Sequence, residues 1–141
     1  MEITINDLAD LPRAARELHE RMGSSRTLLL DGDLGAGKTT LVQALCRQLG
    51  VQGAVSSPTF ALVNEYSRPL ADGETEPVYH LDLYRLKDAD EALAMGLEEY
   101  LYSGHYCFVE WPAVADGLYP PGSLHVRLEA PTATSRKILF L

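Results

Sequence analysis

Leu8, Leu11, Ala15, Leu18 and Met22 recur at steps of three and four, with Arg13, Arg16, Glu17 and Glu20 on the remaining faces. That spacing predicts one amphipathic helix with a single buried stripe. Asp7 or Asp10 can cap its start by accepting free backbone N–H groups, and Gly23 supplies a left-handed stop. Ile3-Thr4-Ile5 before it reads as a short strand. Thr27–Asp31 is an apolar run that ends in glycine-rich sequence, and from Thr40 to Leu49 helical spacing resumes through Leu41, Leu45 and Leu49. The pattern is strand, loop, helix. Further strands are predicted at Thr59–Tyr66, Val78–Leu83, Tyr106–Glu110, Leu124–Leu128 and Lys137–Leu141, and one helix over Ala89–Leu101 around Leu93, Leu97 and Leu101.

Ser67–Pro77 is polar, with two prolines and a glycine, and reads as an exposed hairpin loop. The last two strands are separated only by Glu129–Arg136, short enough for an antiparallel connection. The expectation is an α/β fold: a three-layer, P-loop NTPase-like domain over residues 1–141, with a mixed, mostly parallel central sheet and antiparallel C-terminal strands. A chain of 141 residues suits one such domain.

Composition changes this picture in two places. Twelve basic residues against twenty acidic ones leave a net charge of −8, which repels phosphate backbones and argues against direct, sequence-specific nucleic-acid binding. No run approaches the ~20 apolar residues of a membrane span, and Met1–Asp7 has no basic leader, so a cytoplasmic protein without membrane contact is expected. Cys46 and Cys107 lack metal-ligand spacing and are expected as buried thiols.

Gly32-Asp33-Leu34-Gly35-Ala36-Gly37-Lys38-Thr39 fits G-x-x-x-x-G-K-[ST]. In such a loop Gly35 and Gly37 clear side chains from the anion's place, and backbone N–H groups and the helix N-terminus near Lys38 face it. The Lys38 ammonium can reach the outer phosphates, and Thr39 offers its hydroxyl to magnesium. Chance gives this pattern in roughly half a percent of chains this long, and the apolar strand before it and the helix after it are the context the motif requires.

Magnesium on a triphosphate wants hard oxygen donors, commonly on an adjacent strand aimed at the loop. Val78–Asp82 and Cys107–Glu110 each end an apolar run in an acid, so Asp82 and Glu110 are expected at strand C-terminal ends, where ligands of open α/β sheets gather. Ser57-Pro58-Thr59 is placed either to sense the γ-phosphate through a hydroxyl or to make a plain turn. His80, among strand residues, reads more readily as a packed core imidazole than as a base. Trp111-Pro112 either shields the site, stacks on a ring or packs in the core.

Absences prune the possible classes. The chain has no Asn-Lys-x-Asp guanine-reading element and no Leu-Ser-Gly-Gly transporter signature. A small-metabolite kinase survives as the alternative, although only Arg85 and Lys87 are available mid-chain for its lid. A nucleotide-sensing module without turnover is a third class.

One family carries all of these runs in order: Gly32–Thr40; Ser57-Pro58-Thr59-Phe60 with Leu62-Val63; His80-Leu81-Asp82-Leu83-Tyr84-Arg85-Leu86; Gly96 before Glu99-Tyr100-Leu101; and Glu110-Trp111-Pro112. The chain resembles the TsaE family, formerly YjeE, over almost its whole length. The resemblance implies a magnesium-dependent ATPase required for N6-threonylcarbamoyladenosine at position 37 of tRNAs reading ANN codons. It further implies that the chain binds the TsaB and TsaD proteins, meets tRNA only through that complex, and hydrolyses ATP to reset it between turnovers. By the same resemblance Asp33, Gly35, Ala36, Gly37, Lys38, Thr39 and Thr40 hold ATP, Thr39, Glu110 and Asp82 serve Mg2+, and Lys38, Asp82, Glu110 and Thr59 carry the chemistry. Arg136 is a further nucleotide candidate. The acidic surface suits a component that works through protein partners.

Overall fold

The computed structural model describes residues 1–53 and 63–141. Among these residues seven strands form one sheet: β1 (Glu2–Ile5), β2 (Thr27–Asp31), β3 (Val63–Pro69), β4 (Thr75–Asp82), β5 (Tyr106–Glu110), β6 (Leu124–Glu129) and β7 (Arg136–Phe140). Their order is β1-β7-β6-β2-β5-β4-β3. The central four, β6, β2, β5 and β4, are mutually parallel, while β1, β7 and β3 join antiparallel at the flanks. The mixed sheet with a parallel centre is therefore as the sequence predicted.

The two innermost strands, β2 and β5, are buried on both faces, which is why Leu28, Leu29 and Leu30 and the β5 run read as continuous apolar sequence instead of alternating. One face packs against α1 (Leu11–Met22) and α2 (Lys38–Gln48), with Leu18, Leu41 and Leu45 meeting Leu28, Leu30, Phe108 and Val126 in one core. The other face packs Leu29, Leu81, Val109 and Cys107 against α3 (Ala89–Ala94), α4 (Leu97–Leu101) and the 3₁₀ turn Pro112–Ala115. Helices on both faces of the sheet give the three layers. Both cysteines are buried, as expected, and burial pushes each thiol up to about 12.

The N-terminal helix starts through a 3₁₀ turn, Leu8–Asp10, whose cap is Asp7; its carboxylate accepts from the Ala9 N–H at 2.8 Å. Asp10 occupies the cap position of α1 without making a side-chain cap bond.

Two expectations need correction. Ser67–Pro77 is not one exposed loop: Ser67, Arg68 and Pro69 pair with Pro77, Glu76 and Thr75, so only residues 70–74 turn the hairpin. The polar sequence misled because β3 is an edge strand whose pairing is reinforced by charge. Arg68 bonds Glu76 at 2.6 Å, and Pro69 sits where no central ladder needs its missing donor. Ala89–Leu101 is likewise two helices, because Gly96 between them takes φ +83°, a left-handed conformation that ends α3 and turns the chain into α4. The predicted strand start at Thr59 lies outside the described residues.

Burial ranks the substitutions. Leu18→Ala, on the fully buried stripe of α1, should cost about 2–5 kcal/mol in urea unfolding. Leu93→Ala on the exposed side of α3 should stay within about 0.5 kcal/mol.

Candidate active site at the strand ends

β2 delivers the chain directly into Gly32–Gly37, and α2 begins at Lys38. Gly35 at φ +80° and Gly37 at φ +99° hold the turn in left-handed backbone. A Cβ at Gly35 would meet nothing within 4 Å, so the loop encloses open space there. A Cβ at Gly37 would lie 3.2 Å from the Arg136 Nε. Arg136, at the start of β7, thus rests against the loop, its guanidinium also donating to the Thr132 carbonyl at 3.1 Å and the Ser135 carbonyl at 2.7 Å.

The cavity beside the loop has a volume of about 410 Å³ and is lined by Asp33, Leu34, Gly35, Gly37, Lys38, Thr39, Thr40, Asp82, Tyr84, Glu110, Trp111 and Arg136. Nearly every residue assigned to the site from sequence therefore meets at one place. The exceptions are Ala36, which is buried behind the loop with its N–H on the Asp33 carbonyl, and Thr59, which lies outside the described residues.

Strand register brings the acids together. β4 and β5 run parallel with Asp82 opposite Glu110, and β2 pairs on the other side of β5 with Leu30 opposite Glu110. The loop after β2 thus starts two residues beyond Glu110's neighbour. Thr39 Oγ1 donates to Glu110 Oε2 at 3.4 Å, and His80 Nε2 lies 2.5 Å from that same oxygen. Glu110 is only 4% exposed. Asp82 accepts the Tyr84 N–H at 3.0 Å, and burial holds its carboxyl above the ordinary carboxylate value, with the neighbouring Glu110 adding to the rise.

Lys38 is 5% exposed. Its ammonium donates back to the Gly32 carbonyl and, at 3.1 Å, to the Asp33 carbonyl. The Trp111 ring lies 4.1 Å from Nζ. Burial lowers the lysine below its usual value, and the carboxylates of Glu110, Asp82, Asp33 and Asp31 oppose that drop. Trp111 reaches this position through a left-handed backbone at φ 56°, unusual for a bulky residue. Tyr84 packs on its ring at 5.0 Å between centroids, and Tyr119 OH on the Pro112 carbonyl at 2.5 Å holds the turn that follows.

Sequence reasoning gave Tyr84 and Leu34 no role, although both line the cavity and are exposed. The only signal was an aromatic or apolar residue standing where the chain leaves a strand or turns in the loop. The contact of His125 with Asp31, joining β6 to β2 just before the loop, was also unread. Arg85 and Lys87 are exposed and do not line the cavity.

Thr39, Asp82 and Glu110 provide only oxygen donors at one mouth, which is the donor set that suits a hard divalent cation such as Mg2+. With a glycine loop ahead of α2 and acids ending the neighbouring strands, the fold and site define the chain as a P-loop NTPase-like α/β domain. It belongs to the TsaE family: residues 5–138 match the family described as "Threonylcarbamoyl adenosine biosynthesis protein TsaE".

Relatives named "tRNA threonylcarbamoyladenosine biosynthesis protein TsaE" include proteins of Haemophilus influenzae and Bacillus subtilis. The Haemophilus influenzae protein is 41% identical over 100 residues, covering 71% of this chain and 60% of its own length. The Bacillus subtilis protein is 39% identical over 113 residues, covering 80% of this chain and 67% of its own. The chain thus spans about 60% of the first relative. The crystal structure of Bacillus subtilis YdiB is similar with a TM-score of 0.69 and 27% identity, covering 99% of this chain and 83% of that one.

Replacing Asp82 tests the electrostatics. An acid whose folded value is raised holds its proton above 3.8 in the folded chain. Its charge therefore lowers stability as pH rises through the shifted range, and that cost is complete above it. Asp82→Asn should raise the melting temperature at pH 7. Below the ordinary value of 3.8 the gain should disappear. A scan of melting temperature against pH reads both.

Proposed function

We propose that the chain is a magnesium-dependent ATPase required for formation of N6-threonylcarbamoyladenosine at position 37 of tRNAs reading ANN codons. In this reading it binds the TsaB–TsaD pair in the cytoplasm, meets tRNA only through that pair, and hydrolyses ATP to reset it between turnovers. The observation that carries the reading is the convergence of Thr39, Asp82 and Glu110 on the cavity beside Gly35–Lys38.

The residues divide the work. The loop from Asp33 to Gly37 turns backbone N–H groups around the phosphates, and Thr40 flanks them at the start of α2. Lys38 leaves the Gly32 and Asp33 carbonyls for the outer phosphates, exchanging two neutral acceptors for charged ones. Thr39, Glu110 and Asp82 would hold the magnesium ion. When bound, that ion neutralises charge developing on the transferred phosphoryl group. Glu110 and Asp82 orient the attacking water, and Thr59 acts as the switch residue on the γ-phosphate. Arg136, resting against Gly37, adds a cation at the loop's outer side.

The names of the Haemophilus and Bacillus relatives support the assignment to threonylcarbamoyladenosine synthesis. The net charge of −8 supports action through protein partners over direct tRNA contact. A small-metabolite kinase would need basic lid residues over the phosphates, and Arg85 and Lys87 stand away from the cavity.

Phosphate release by the isolated protein should be slow and should rise when TsaB and TsaD are added. Lys38→Ala should lower it about 100-fold or more, with an unchanged circular-dichroism spectrum. Formation of threonylcarbamoyladenosine over many turnovers should require the chain and fail with Lys38→Ala. Turnover that ignores a titration of the TsaB–TsaD pair, or that appears only with an added acceptor metabolite, would overturn the reading.

A further inference from the structure

His80 is entirely buried, yet one of its ring nitrogens, Nδ1, has no hydrogen-bond partner among the described residues. Its other nitrogen, Nε2, is 2.5 Å from Glu110 Oε2. Buried polar atoms are nearly always paired, so an orphan calls for a reason. An apolar residue would fill this place on β4, among Val78, Phe108 and the α2 layer, without leaving any atom unsatisfied. The imidazole's distinguishing property is its bond to Glu110.

We propose that His80 is a positioning residue: it carries its ring hydrogen on Nε2 and donates it to Glu110 Oε2, fixing the carboxylate that faces Thr39. The inference rests on the proposed magnesium role of Glu110.

The tautomer follows from the contacts. With the hydrogen on Nδ1, a buried N–H would be orphaned, and two acceptors, Nε2 and Oε2, would face each other at 2.5 Å. With the hydrogen on Nε2, the carboxylate gains a charge-assisted donor, and the orphan is a lone pair, the cheaper group to leave unpaired. Among the described residues nothing else holds Glu110 as closely. The Thr39 contact to the same oxygen, at 3.4 Å, is long for a hydroxyl donor.

Register explains why the histidine is here. On β4, positions 78, 80 and 82 share the face toward α2, and on β5 so do 106, 108 and 110. His80 lies opposite Phe108, one step beneath Glu110 on that face, while Asp82 lies level with Glu110. The strand therefore supplies a support from below and a second carboxylate alongside. Groups that bond a metal-ligating carboxylate set its rotamer before the metal arrives, and their loss commonly weakens metal affinity about 10–100-fold.

The test compares wild type with His80→Leu and His80→Gln, the amide restoring a donor at about the reach of Nε2. Binding of a fluorescent ATP analogue is measured in excess EDTA and then across a Mg2+ titration, with circular dichroism as the fold control. Affinity in EDTA should agree within about 2-fold among the three, whereas half-saturation by Mg2+ should rise about 10-fold or more in His80→Leu and return to within about 3-fold of wild type in His80→Gln.

A folded His80→Leu protein with the wild-type Mg2+ half-saturation overturns the positioning role alone. Wild-type binding that is indifferent to Mg2+ overturns the site reading and this inference together. Independently of either variant's folding, 15N-histidine NMR of the wild-type protein should find the His80 hydrogen on Nε2, and a hydrogen on Nδ1 would overturn the proposal.

Discussion

The parallel pairing of β2 with β5 is the constraint on which the rest of the site depends. It sets Leu30 beside Glu110, so the glycine loop that follows Asp31 opens over the carboxylate that ends the neighbouring strand. The pairing of β5 with β4 then fixes Asp82 level with Glu110. Neither relation is local in sequence, since about eighty residues separate Leu30 from Glu110, yet both follow once the three strands are parallel and in this register. The apolar runs that end in these polar residues thus do two things: they anchor the sheet's centre, and their ends define where charge can stand.

That arrangement carries a cost in the free protein. A buried lysine is surrounded by Glu110, Asp82, Asp33 and Asp31 and is displaced below its ordinary value by burial. Burial also holds Asp82 above its own. Trp111 keeps a left-handed backbone to lie against the Lys38 ammonium, with Tyr84 packed behind it. Strain of this kind costs about 1–3 kcal/mol per residue and persists where the surroundings over-determine it. Lys38 in this state is bonded to its own loop, so in the proposed function a phosphate chain would replace bonds already present instead of filling an unsatisfied charge.

Much of this was legible from residue order. The glycine loop is a contiguous motif, and Asp82 and Glu110 announce themselves as acids closing apolar runs. The parallel centre was legible for the same reason: strands covered on both faces lose their alternation. What was not legible depended on partners distant in sequence. The strand character of Ser67–Pro69 and Thr75–Pro77 comes from edge pairing and the Arg68–Glu76 bond, neither of which leaves an apolar pattern. The break at Gly96 was hidden because Leu93, Leu97 and Leu101 keep helical spacing across it while the backbone turns through a left-handed residue. His80 read as a core residue and is one by burial; its bond to Glu110 appears only when β4 and β5 are set in register.

The central claim is that Thr39, from the glycine loop, and Glu110, from the adjacent strand, act as one magnesium site for a bound nucleotide. A double-mutant cycle with Thr39→Ala and Glu110→Gln, read as the Mg2+-dependent gain in ATP affinity, tests it most directly. If the two act together, either substitution alone removes most of the gain and the pair together removes little more, a coupling of about 1–3 kcal/mol. Additive losses, or a Mg2+-dependent gain that survives in the double variant, would contradict it.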